Sequence, residues 1–136
     1  MTPLVSVIIP AYNAEPYVRR ALCSSLEQTY RNLEIVVVDD GSTDGTAPSV
    51  QEIRDPRIVY TQHANAGQGN ARNRGIRECR GNYIALLDAQ DLYMPGTVQR
   101  QLEFLVEHTG YKVVYSNALY MYSDKPGVCH KKRGKC

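Results

Sequence analysis

Two short runs of β-branched residues constrain this chain more than anything else in it. Leu4-Val5-Ser6-Val7-Ile8-Ile9 closes at Pro10, and Glu34-Ile35-Val36-Val37-Val38 closes at Asp39-Asp40-Gly41. Both are nearly continuous apolar stretches, too short for helices and without the polar alternation of a half-solvated sheet. Such runs belong to strands covered on both faces, as in a parallel sheet flanked by helices. Between them, Pro16 suits the first turn of a helix, and Val18, Ala21, Leu22 and Leu26 recur at helical spacing, predicting an amphipathic helix over 15–28.

The alternation continues. Ser42, Thr43 and Asp44 offer capping side chains to a helix running to about Arg54. Ile58-Val59-Tyr60 predicts a third strand. A helix opens near Gly67, carries Ala71 to Glu78 and stops by Gly81. Tyr83-Ile84-Ala85-Leu86-Leu87 predicts a fourth strand ending at Asp88. A helix introduced by Pro95 carries Val98, Leu102, Leu105 and Val106, and Val113-Val114-Tyr115 predicts a fifth strand. Strand and helix in turn, over 136 residues, argue one α/β domain with a mostly parallel sheet.

Composition excludes several functions. The chain is 43% hydrophobic and 22% charged, which is globular, and no apolar run approaches the ~20 residues that span a bilayer. The start, Met1-Thr2-Pro3-Leu4, lacks the basic-then-apolar pattern of a secretion signal, so the cytoplasm, or the inner face of a membrane, is the expected location. The net charge of +2 is unevenly spread: Lys125, Lys131, Lys132, Arg133 and Lys135 put +5 on residues 125–136 and leave −3 on the rest. That is a basic tail, expected to be disordered over 123–136, and not the basic stripe of a nucleic-acid-binding face. Of the four cysteines none sits in a C-x-x-C pair, and the spacing of Cys129, His130 and Cys136 matches no common zinc module. Neither G-x-G-x-x-G nor G-x-x-x-x-G-K-[ST] follows the first strand, which disfavours a dinucleotide-binding domain, a phosphate-loop enzyme and a nucleotidyltransferase.

In an open parallel sheet, ligands bind beyond the carboxyl ends of the strands. Here three of those ends carry polar clusters: Pro10-Ala11-Tyr12-Asn13, Asp39-Asp40-Gly41-Ser42 and Asp88-Ala89-Gln90-Asp91. Taken singly, each reads equally as a turn, a helix cap or a rim aromatic. Together they place several carboxylates at one sheet edge, an arrangement that costs electrostatic energy unless a cation or a donor-rich ligand compensates.

These blocks, with Ser25-Leu26-Glu27-Gln28-Thr29-Tyr30, Gly41-Ser42-Thr43-Asp44-Gly45-Thr46, Asn65-Ala66-Gly67, Ala71-Arg72-Asn73-Arg74-Gly75 and Gly81-Asn82-Tyr83, resemble the inverting family 2 glycosyltransferases over about residues 4–122. The resemblance implies a GT-A fold: a Rossmann-like, three-layer α/β/α sandwich, shortened here on its C-terminal side. It implies a nucleotide-diphosphate sugar donor, UDP- or GDP-linked, used with Mg²⁺ or Mn²⁺. Pro10, Ala11 and Tyr12 would line the nucleoside pocket, with the Tyr12 ring stacked on the base. Asp40 would accept from the base's ring N–H, Arg72 would help hold the nucleotide, and Asn13, Asp88 and Ala89 would complete the nucleotide-binding set.

The metal would fall to Asp88, Gln90 and Asp91. Gln90 stands where the family usually has the metal-ligating aspartate. Weaker metal binding, takeover by Asp88 and Asp91, or work without tight metal are all open on the sequence. The family's general base lies in a part of the domain that residues 1–136 do not match, so no catalytic residue is assigned. A nucleotide-binding module without transfer activity is the alternative reading. A glycan or lipid acceptor and self-association are further expectations.

Overall fold

The computed structural model describes residues 2–121 and 129–131. The chain divides into two compact units, 1–100 and 101–136. In the first, β1 (Val5–Ala11), β2 (Leu33–Asp39), β3 (Ile58–Gln62) and β4 (Tyr83–Leu86) form a four-stranded parallel sheet in the order β3-β2-β1-β4. Val5 pairs with Leu33 and with Tyr83, and Ile35 with Ile58, so β1 and β2 lie at the centre. Every residue of β1 and β2 is buried, as their apolar runs require.

The two faces are covered by different helices. Ile8, Val36 and Val38 share one face and cluster with Ala71 of α3 (Gln68–Glu78). A Cβ on Gly75, one turn further along α3, would sit 2.4 Å from Ile8 Cγ2, so only glycine lets the helix lie this close to the sheet. α1 (Glu15–Leu26) also packs against β1 and β2, burying Val18, Ala21 and Leu22, and pairs with the short α2 (Thr46–Gln51). The two helices are tied at their starts: Glu15 N–H donates to Asp44 Oδ2 (3.1 Å), Ala14 N–H to Thr46 Oγ1 (2.9 Å) and Gly45 N–H to Glu15 Oε2 (2.9 Å). Of the side chains expected to cap α2, Asp44 serves both helices, accepting from Thr46 N–H and Glu15 N–H, while the N-cap position itself is Gly45.

At the amino edge of the sheet, Glu34 of β2 is buried. Its carboxylate accepts from Ser6 Oγ, from Arg80 N–H and from Arg80 Nε, and Gly81 N–H donates to Ser6 Oγ (2.8 Å). Burial pushes the Glu34 carboxyl up, but these hydrogen bonds and the Arg80 charge outweigh it and hold the group below its ordinary value.

The second unit corrects two expectations. Val113-Val114-Tyr115 forms no strand; Val113 and Tyr115 are 77% and 82% exposed, and β-branched character without a partner edge does not make one. The fifth strand is β5 (Leu119–Met121), antiparallel to β6 (Cys129–Lys131). Residues 129–131, expected within a disordered tail, therefore pair backbone to backbone. Lys125, Lys132, Arg133, Lys135 and Cys136 lie outside the described residues. In the second unit Phe104, of α4 (Thr97–Glu107), stacks on His108, and the Tyr111 ring packs against both at a tilt. No helix among the described residues is long and apolar enough to cross a membrane.

Candidate functional site

The carboxyl ends of β1, β2 and β4 open on one cleft of about 260 Å³ in the first unit. Pro10, Ala11, Tyr12, Asn13, Asp40, Asp88, Ala89 and Gln90 line it, so eight of the ten residues singled out from sequence for nucleotide or metal meet there. Arg72 is not among the lining residues but bonds one of them, Asp88. Asp91 is not among the lining residues; its N–H donates to the Asp88 carbonyl (2.9 Å), which makes it a turn residue here.

The first wall follows β1. Asn13 adopts φ +46, its N–H donates to Ser42 Oγ (2.9 Å), and its Oδ1 accepts from Thr43 N–H (2.9 Å). Asparagine tolerates the left-handed region better than most residues, and its amide locks the two turns together. Tyr12 lines the cleft and is left half-exposed.

The second wall separates two adjacent carboxylates. Asp39 is fully buried and accepts from Ser42 N–H (2.7 Å) and Tyr60 Oη (2.7 Å). Burial, and then the bond to Asp39, push the Tyr60 hydroxyl above its ordinary value, so it stays a donor. Asp39 is structural. Asp40 faces the cleft yet is also buried, its Oδ1 accepting from Ala66 N–H (2.9 Å) and its Oδ2 from Gly67 N–H (2.8 Å). It thereby fixes the entry of α3. Gly41, at φ +80, allows this: a Cβ there would meet Asn65 N at 2.9 Å. Each Asp40 oxygen keeps a second lone pair for a ligand.

The third wall is Asp88-Ala89-Gln90. Arg72 Nη2 donates to Asp88 Oδ1 at 2.5 Å, each side chain about one-third exposed, while Arg72 Nε is buried without a hydrogen-bond partner. Sequence reasoning missed Ala14, Tyr17, Asn65, Gly67, Gln68 and Ala71 as lining residues. The available signal was positional. Tyr17 and Gln68 occupy the first turns of helices that begin where strand ends meet, and a helix start presents backbone N–H groups and a positive dipole end to whatever the cleft holds.

The donor set can be tested for a divalent cation. Asp88 and Gln90 supply a carboxylate and an amide oxygen, the hard donors that Mg²⁺ and Mn²⁺ take, and such ions are often held by one or two carboxylates with phosphate completing the shell. The set is poor in charge, since Asp88 shares its own with Arg72 and Gln90 carries none. Among the described residues, the cleft included, no three His, Cys, Asp or Glu side chains gather into a metal-holding group. The residues fit a cation that arrives with a diphosphate.

A parallel sheet with a carboxylate-lined cleft at its carboxyl edge is the arrangement of an α/β domain of GT-A type. The family model for glycosyl transferase family 2 matches residues 6–133, and the chain belongs to that family. The match extends past residue 122, where the motif resemblance stopped. An uncharacterized glycosyltransferase of Rickettsia bellii is 38% identical over 91% of this chain and 19% of its own length. Residues 1–349 of S. aureus TarS, in complex with UDP-GlcNAc, superpose with TM-score 0.73 at 33% identity, over 77% of this chain and 32% of that fragment. The mannosyltransferase PcManGT of Pyrobaculum calidifontis, in complex with GDP-Man and Mn²⁺, gives 0.72 at 31% identity, over 77% of this chain and 33% of the other. The chain spans half or less of the curated relatives it matches.

Proposed function

We propose that this domain binds a nucleotide-diphosphate sugar, UDP- or GDP-linked, in the cleft, and serves as the donor-holding part of an enzyme that transfers the sugar to an acceptor hydroxyl with inversion. The observation that carries the proposal is the convergence of Tyr12, Asp40 and Asp88, from three strand ends, on a single cleft.

Each wall has work in this reading. The Tyr12 ring stacks on the base, and Pro10, Ala11 and Asn13 shape the nucleoside pocket. The spare lone pairs of Asp40 accept from the base, while its fixed contacts to Ala66 and Gly67 hold the start of α3 in place. That helix start and Arg72 favour the anionic diphosphate. When bound, a divalent cation at Asp88 and Gln90 would neutralise the diphosphate and act as a Lewis acid on the leaving group. Neither cleft carboxylate is assigned as the base. Asp40 is committed to backbone donors and Asp88 to Arg72, so deprotonation of the acceptor belongs to a carboxylate outside this cleft.

The nucleotide structures named above were solved with UDP-GlcNAc and with GDP-Man and Mn²⁺, which supports donors of this class. Calorimetric titration with UDP, GDP, UMP and GMP, with and without Mn²⁺, tests the proposal. One diphosphate is expected to bind more tightly than its monophosphate. Absence of binding by all four would discard it.

A further inference from the structure

The pair formed by Arg72 and Asp88 joins the residue meant for the diphosphate to the residue meant for the cation. In the free domain each is the other's partner. We propose that this pair is an exchange latch: the donor's diphosphate draws Arg72 away from Asp88, and only then does Asp88 become available to the cation. The inference rests on the nucleotide-sugar reading above and adds to it a fixed coupling between diphosphate and cation, set by two residues of this chain.

Four observations support it. The Arg72–Asp88 contact is a single short hydrogen bond between side chains each about one-third exposed, so neither partner is locked in the core. The guanidinium is under-used: Nη2 bonds Asp88 and the buried Nε has no partner, so a small movement of this one-third-exposed side chain would present unused donors to an oxyanion. Asp40, the other lining carboxylate, bonds Ala66 and Gly67 N–H and in this reading gives its spare lone pairs to the base, so Asp88 has no acidic substitute in the cleft. Finally, position 90 is a glutamine. A carboxylate there would attract a cation whatever Arg72 does; an amide leaves the cation dependent on Asp88 and hence on the latch.

The two binding events must then reinforce one another by the same factor, because linkage is reciprocal. The free domain is a poor cation site, its Asp88 being neutralised by Arg72. With the diphosphate seated on Arg72, the Asp88 charge is no longer compensated, and the phosphate oxygens contribute theirs.

The test uses the whole 136-residue chain with MnCl₂, UDP and GDP as probes, read by calorimetry and by the electron paramagnetic resonance of Mn²⁺. Mn²⁺ alone is expected to bind about tenfold or more weakly than Mn²⁺ with saturating diphosphate, and the diphosphate to gain the same factor from Mn²⁺. Asp88→Asn should tighten diphosphate binding in EDTA, since Arg72 is freed, and abolish the gain from Mn²⁺. Arg72→Gln should raise the affinity for Mn²⁺ in the absence of nucleotide, and Gln90→Asp should do the same while shrinking the coupling. Thermal melts confirm that each variant is folded. Equal Mn²⁺ affinity with and without diphosphate would overturn the latch, as would weaker binding in EDTA by Asp88→Asn. If nucleotide binds but Mn²⁺ promotes it equally in wild type and Asp88→Asn, the latch alone fails. If no nucleotide binds under any condition, the donor site fails and the latch with it.

Discussion

The two ends of the central sheet both carry buried carboxylates, and they use them differently. At the amino edge, Glu34 is held by Ser6 Oγ and the Arg80 backbone N–H, donors that the fold keeps in place, and the exposed Arg80 Nε only adds to them. At the carboxyl edge, Asp40 is fixed by the backbone N–H groups of Ala66 and Gly67, and Asp88 is held only by a partly exposed arginine. A carboxylate met by fixed donors is part of the framework; one met by a movable side chain can change partners. The difference lies in what supplies the donors, since all three residues are equally acidic in sequence.

That contrast can be broken experimentally. Glu34→Ala leaves Ser6 Oγ and the Arg80 N–H without their acceptor and should cost about 3 kcal/mol of stability, with nucleotide affinity unchanged below the melting temperature. Chemical denaturation and calorimetry check the two halves of that statement. Asp40→Ala should cost about 2 kcal/mol of stability, because Ala66 and Gly67 regain water only in part. Unlike Glu34→Ala, it should also weaken diphosphate binding by about tenfold or more, which corresponds to about 1.4 kcal/mol. Equal effects of the two substitutions on binding would erase the distinction between the edges.

Tyr12→Ala should leave the melting temperature unchanged and cost about 1–2 kcal/mol of nucleotide affinity, with Tyr12→Phe restoring it, since a stacked ring and not a hydroxyl is required. The smallest effect concerns pH. Glu34 is held below its ordinary value of 4.5, so its contribution to stability is fully present above that value and is lost as pH falls through the lower, folded-state value. Urea midpoints from pH 7 downward should therefore fall more steeply for wild type than for Glu34→Gln. Parallel curves would remove Glu34 from the framework.

Much of the fold was legible in the residues. The apolar runs at Leu4–Ile9 and Ile35–Val38 can be buried on both faces only in a sheet with a helix on each side, and the structure has it. Val113-Val114-Tyr115 misled for the same reason in reverse: it has the composition of a strand, but propensity does not supply a neighbour to pair with. The pairing of Cys129–Lys131 with β5 was hidden because backbone hydrogen bonds leave no mark in a basic, Gly- and Pro-containing tail. In the site, the residues at strand ends were readable because topology alone brings those ends together. Tyr17, Asn65 and Gln68 were not, since their arrival depends on how helix starts and a loop are fastened across the sheet.

By itself, then, the order of residues determined the alternation of elements, the sheet edge where a ligand must sit, and which side chains stand at the strand tips. Period and end-residue chemistry are local properties of the chain. Only tertiary structure decided which carboxylates are spent: Glu34 on Arg80, Asp39 on Tyr60, Asp40 on the loop before α3, and Asp88 on Arg72. Partners 16 to 46 residues apart are chosen by packing, and packing is what separates an acidic residue that holds the fold from one free to meet a ligand.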